Sequence, residues 1–307
     1  MQQRKDDNYY FKPHNDLIPR ELTENQRDYF HLLSKPIEEV VNFGSDVLTW
    51  RIQVFENEEF LNVPIMLLRE ALDLTDSCSI LLRQGAADTS KVLTRSLFEI
   101  SLYMGYLCKS DLRKRSYAYL LSSVLDNIQY HESVLKEFSS KSRAQKQSLS
   151  EEQVEEMEKL IEGKKSLFQT YGYADAYSYY QKETAKRKAK GRGKKMNAWY
   201  SYYEGPENLR GLSKELGIED GYQFFYSKYS KLAHGNEALL GKMISKGENS
   251  ADMYQLRSFV DIKEVCQYTF AFSTSIVKRY VQTIFPERLE FLNIFNSWCQ
   301  QYRTFYQ

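Results

Sequence analysis

The sequence predicts an all-α protein, a multi-helix bundle of about eight to ten helices with no sheet of consequence. Three observations carry that expectation. Apolar residues recur at helical spacing through most of the chain, and glycine (14) and proline (6) are scarce in 307 residues. The prolines mostly fall where helices would begin. With 42% apolar residues the chain can bury a sizeable core.

Taken in order, residues 1–22 read as an extended arm with Pro13 and Pro19, followed by one helical domain over 23–307. Thr23 and Gln26 have the spacing of a capping box, so a helix starts there, breaks or kinks at Pro36 and resumes through Ile37–Phe55. Pro64 opens the next helix and Gly85 closes it. The stretch 86–109 is a helix of about six turns that is apolar nearly all round, which places it at the centre of the bundle. Its partner in an antiparallel hairpin is the helix ending at Gly85.

Ser110 or Asp111 caps a fourth helix, and residues 139–150 form a polar linker. Ser150 and Gln153 repeat the capping box before an acidic, solvent-facing helix. Residues 171–203 are expected to be a mobile insertion, rich in tyrosine and then in lysine and arginine. Pro206 begins a short helix that stops at Gly217, residues 220–234 form another, and 241–257 read as a loop. A long apolar helix ends at Pro286, and a last amphipathic helix closes the bundle.

Composition excludes several function classes. A net charge of +1 gives no global attraction to nucleic acid or membrane, so such binding needs a local patch. Cys78, Cys108, Cys266 and Cys299 are far apart without a CxxC pair, which argues for reduced thiols and against a zinc site. The first sixteen residues are polar, and no apolar run spans a bilayer, so a cytoplasmic protein is expected. No metal, cofactor or membrane partner is expected.

Two places can carry chemistry. Arg95 and Glu99 stand one turn apart inside the central helix, where each needs a polar partner. They serve either a site or a structural ion pair. In the 220–234 helix, Tyr226, Ser230 and His234 recur every four residues on one face, with Phe224 and Phe225 towards the other. His234 sits in the last turn, where the helix's negative end favours the imidazolium and suits it to proton transfer. The basic run with Lys188, Arg192 and Lys194, flanked by Trp199, resembles a single-strand binding surface, although a solvated loop is the commoner use of such a run.

RSLFE (Arg95–Glu99), then Trp199, then YSKYSKLAHG (Tyr226–Gly235) resemble domain-of-unknown-function family 5677, helical proteins of prokaryotes and phages. The resemblance runs from about residue 65 to about 285. That family is similar in outline to HEPN-type helical domains, many of them metal-independent ribonucleases of toxin and anti-phage systems. Their signature is an arginine separated by four to six residues from a histidine at a helix end. Here positions 227–229 are Ser227, Lys228 and Tyr229, with Lys228 off the Tyr226–His234 stripe, so Arg95 would supply the guanidinium.

The resemblance implies a ribonuclease in which His234 moves a proton. Arg95 holds the phosphate, Glu99 orients Arg95, and Ser230 or Tyr226 bonds the substrate. Lys188, Arg192, Lys194 and Trp199 would grip RNA, and a homodimer would pair two sites. The alternative is a non-catalytic ligand-sensing or protein-interaction module using the same cluster.

Overall fold

The computed structural model describes residues 18, 21–51, 58–140, 150–191, 198–226, 228–230, 243–247, 250–253, 255, 257 and 259–306. The chain is an all-α bundle, with nine α-helices of seven or more residues among the described residues. Helix α1 (Glu24–Thr49) starts at the expected capping box. The Thr23 N–H donates to Gln26 Oε1 at 2.9 Å, and the Gln26 N–H donates to Thr23 Oγ1 at 3.3 Å. Contrary to expectation, α1 does not break at Pro36 and ends at Thr49 rather than Phe55. Proline removes one hydrogen bond from the helix, but its ring lies on the buried face, and tertiary packing carries most of a helix's stability.

Helix α2 (Asn62–Arg83) carries Pro64 in its first turn. Its end is a Schellman turn: the Ala86 N–H reaches Leu81 O at 2.9 Å and the Gly85 N–H reaches Leu82 O at 3.0 Å. Gly85 has φ +71°, and a Cβ there would lie 2.6 Å from the Phe259 ring. The turn delivers the chain into α3 (Ala87–Lys109), within one residue of the stretch expected.

Helix α3 packs against α2 and against α8 (Ile262–Ile284), with α1 covering the α2 and α8 side. Where α2, α3 and α8 meet, small hydroxyl residues let the backbones approach. Thr75 meets Ser273 at 2.8 Å and Thr94 meets Thr269 at 2.9 Å, while Thr94 and Ser273 also bond carbonyls of their own helices. Helix α3 is not buried all round, since the apolar Val92 is 36% exposed. Helix α9 (Leu289–Tyr306) closes the bundle with an aromatic row. Phe295 and Trp298 pack on Phe43, Trp298 also meets Phe270, and the Trp298 indole donates to Glu39 at 2.8 Å.

Helix α4 (Leu112–Ser140) leaves this core and carries a second, smaller one, in which Tyr117, Ala118 and Leu121 meet Ala176 and Tyr202. Asp111, of the two expected caps, accepts the Lys114 N–H at 3.0 Å. Helix α5 (Glu151–Ser166) begins at the Ser150–Gln153 capping box and buries only Ile161, as its acidic composition predicts. The expected mobile insertion is instead largely the regular helix α6 (Tyr173–Ala189). Its tyrosines are the reason: Tyr177 stacks on Phe168 at 4.1 Å, and Tyr179 and Tyr180 pack against Tyr202.

Helix α7 (Leu209–Glu215) starts after Pro206, capped by Asn208. A short turn Glu219–Gly221 then runs into a π-helical turn Tyr222–Tyr226, and residues 228–230 are helical. The loop expected over 241–257 contains an antiparallel hairpin, β1 (Met243–Gly247) and β2 (Ser250–Met253). Strands this short carry no alternating pattern to read. The proposed N-terminal arm, apart from residues 18, 21 and 22, and the linker over 141–149 lie outside the described residues.

Candidate functional site

The site is built where the exposed flank of α3 meets the 219–230 segment. Arg95 Nη2 lies 3.0 Å from Glu99 Oε1, one helical turn on. The same nitrogen donates to the Tyr226 hydroxyl at 2.8 Å, and the guanidinium carbon sits 4.8 Å from the centre of that ring. The two charged side chains are 18% and 24% exposed, so the pair is at the rim of the core rather than deep within it. Arg95 Nε is buried and has no hydrogen-bond partner among the described residues.

Aromatic rings fix this arrangement. Phe98, one turn from Arg95 on α3, packs against Tyr222, Phe225 and Tyr226. Tyr222 stacks on Tyr226 at 4.8 Å. On the other side Tyr200 stacks on Tyr103, which follows Glu99 by one turn. Burial first, and the Glu99 charge second, push the Tyr103 phenol well up and the Tyr200 phenol up to about 12. Burial also raises Tyr222. These phenols therefore remain protonated at neutral pH. The site presents a guanidinium, a carboxylate and several hydroxyl donors, which suits an anion bearing further acceptor oxygens.

The π-turn alters which residues of the second segment face inward. Phe225 is buried as expected, but Phe224 is 63% exposed instead of anchoring the helix. A five-residue turn displaces side chains from the four-residue repeat assumed for a regular helix. Tyr229 is fully buried and donates to Glu264 at 3.2 Å. Lys228 pairs with the same carboxylate at 3.0 Å, so it is no substitute for Arg95. Ser230 is half-buried and makes no hydrogen bond to Arg95 or Glu99 among the described residues. His234 lies outside the described residues.

The basic and aromatic positions are dispersed. Lys188 is exposed near the end of α6, while Arg192 and Lys194 lie outside the described residues. The neighbouring Arg187 is engaged by Glu183 and Glu207. Trp199 is 7% exposed and packs against Tyr103, Tyr106 and Tyr119, so its ring holds the 199–204 segment onto α3 and α4.

Sequence reasoning overlooked residues whose spacing was visible. Lys91, Arg95, Glu99 and Tyr103 recur every four positions and form one polar stripe along α3. Lys91, 8% exposed in its side chain, is held by Asp88 at 2.8 Å and Asp261 at 2.9 Å. Burial alone would lower its pKa, but the hydrogen bonds and charges of the two carboxylates outweigh that and raise it. Tyr200 and Tyr222 come from distant segments, and only the fold brings them here.

All four cysteines are free; burial pushes Cys78 up to about 12, leaving it an inert thiol. No group of three metal-ligating side chains occurs among the described residues. None of the helices among them is long and apolar enough to cross a membrane.

No curated protein and no solved structure matches the chain. One family model does, over residues 61–252, ending short of the 285 expected. It takes in Arg95, Glu99, Tyr226, Ser230 and His234 and covers more than half of the 307 residues. The chain belongs to DUF5677, a family of unknown function.

Proposed function

We propose that the Arg95 site grips an RNA phosphate, and that the protein is a HEPN-like, metal-independent ribonuclease or toxin-type effector, with anti-phage defence as its setting. The observation that supports this reading is the Arg95–Tyr226 contact. It ties the guanidinium of α3 to the segment that carries His234 eight residues further on. A guanidinium already oriented by a carboxylate and a phenol loses little freedom when it meets a phosphate.

In the reaction the ribose 2′-oxygen attacks the adjacent phosphorus. The 2′-O–P bond forms, the P–O5′ bond breaks, and the products carry a 2′,3′-cyclic phosphate and a 5′-hydroxyl. His234 takes the 2′-hydroxyl proton and, as the imidazolium, returns one to the leaving 5′-oxygen. Arg95 stabilises the charge that accumulates on the phosphoryl oxygens. Glu99 holds Arg95 in place, and Tyr226 or Ser230 bonds the substrate. A homodimer bringing two sites together belongs to the same reading, as does contact of Lys188, Arg192 and Lys194 with the RNA backbone.

The test is cleavage of end-labelled RNA by the purified protein in the presence of a chelator. Wild type should yield cyclic-phosphate ends. Arg95→Ala and His234→Ala should be inactive while retaining their helical circular dichroism. Intact RNA with wild type, both with chelator and with added divalent metal, would overturn the reading. The second reading, a non-catalytic module that binds an anion or a partner, is favoured by the closed Arg95–Glu99 ion pair. It expects RNA or anion binding that is lost in Arg95→Ala, without cleavage.

A further inference from the structure

A cleft that Arg95 does not line opens between the start of α4, the start of α6 and the end of the 199–204 segment. Its volume is about 730 Å³, within the roughly 300–1,000 Å³ usual for small-ligand sites. Its walls combine aromatic rings with charges of both signs. Tyr117, Tyr171, Tyr179 and Tyr203 supply the rings, and Arg113, Lys114 and Lys182 the cations. Asp111, Asp175 and Glu204 also line it.

Several features show a cleft built rather than left over. Tyr171 is 64% exposed, yet its hydroxyl is held by Arg113 Nη1 at 2.8 Å, with the guanidinium carbon 5.5 Å from the ring centre, which fixes a largely exposed ring at the cleft. Lys114 Nζ lies 4.1 Å from the centre of the Tyr203 ring. Tyr203 and Glu204 both have left-handed backbones, with φ of 57° and 62°. Two consecutive non-glycine residues in that region store strain of a kind that clusters at ligand clamps. The strained turn is pinned by the Glu204 N–H, which donates to the Tyr179 hydroxyl at 3.0 Å. At the other wall Gly172, φ +80°, admits the Tyr117 ring so closely that a Cβ would lie 2.1 Å from it.

We propose that this cleft binds a mononucleotide. The Tyr171 ring is a rigid, accessible platform for a base, and an ordered ring costs little entropy when it stacks. Lys114, Lys182 and Arg113 take the phosphate. Asp175 and Glu204 accept hydrogen bonds from ribose hydroxyls or base amino groups. The three cations are balanced by three carboxylates, one of them, Asp111, engaged as the cap of α4. That balance suits a single phosphate and disfavours the larger charge of a triphosphate or a polyanion. The inference does not depend on the Arg95 reading.

Calorimetric titration of the full chain with AMP, GMP, CMP and UMP tests it, with adenosine and inorganic phosphate as single-part probes. At least one mononucleotide should bind saturably below millimolar concentration, and each single-part probe should bind at least about tenfold more weakly. Tyr171→Ala and the double variant Lys114→Ala with Lys182→Ala should each weaken binding about tenfold or more, with circular dichroism unchanged. Arg95→Ala should bind as wild type does. No saturable binding by any of the four overturns the proposal. So does binding untouched by the cleft variants, or binding lost in Arg95→Ala, which would place the nucleotide at the other site.

Discussion

Arg95 donates to the Tyr226 hydroxyl at 2.8 Å across a separation of 131 residues, and its guanidinium carbon lies 4.8 Å from the centre of the same ring. One side chain thus joins the central helix to the segment leading towards His234, by a charged hydrogen bond and a cation–π contact at once. That double contact determines what substitution at either residue should do.

Tyr226→Phe keeps the ring but removes a hydrogen bond to a charged group, and should cost about 1–2 kcal/mol in urea denaturation. Tyr226→Ala removes both contacts and the stacking with Tyr222, and should cost about 3 kcal/mol or more. If the two variants were equally stable, the ring contacts would carry no energy; if Tyr226→Phe were as stable as wild type, the phenol hydrogen bond would carry none.

Glu99→Gln leaves Arg95 its Tyr226 partner but removes the charge that orients it. On the ribonuclease reading proposed above, the expected outcome is a loss of RNA cleavage of about ten- to a hundredfold in kcat with a smaller change in KM, because the guanidinium is then less well placed. Stability should fall by less than about 1 kcal/mol, the pair being partly exposed. Cleavage at the wild-type rate would remove Glu99 from the site.

Lys91 should govern stability at high pH. Its folded pKa is raised by Asp88 and Asp261 above the ordinary 10.5, so its contribution is complete below that value and is lost as pH rises through the folded pKa. Tyr200, raised from 10.0 to about 12, acts in the same direction, because the unfolded phenol ionises first. Wild type should therefore lose stability steeply above about pH 10, and Lys91→Met, already weaker at neutral pH, should lose less over the same range. Denaturant midpoints measured from pH 7 to pH 11 give the comparison.

Gly85→Ala should destabilise by about 2 kcal/mol or more. The left-handed backbone costs an L-residue roughly 1–2 kcal/mol, and the added methyl meets Phe259. The control is Gly163→Ala, on the exposed flank of α5 with nothing within 4 Å, which should be neutral or slightly stabilising. Equal thermal midpoints for the two variants would contradict this account of the Schellman turn.

The sequence by itself determined the helical class, both capping boxes, the Gly85 stop, the bounds of α3 to within one residue and the Arg95–Glu99 pair. Each of these is set by residues within a turn or two of one another, so local spacing suffices. It misjudged Pro36, the tyrosine-rich stretch that became α6, the π-turn at Tyr222–Tyr226 and the hairpin after it. In the first three the deciding contacts are made with other segments. Only the tertiary structure decided that Tyr226 meets Arg95, that Trp199 is packing rather than surface, and that Tyr171 and Lys114 face one cleft. Those pairings depend on how separate helices dock, and a periodicity fixes which face of a helix is buried but not what it is buried against.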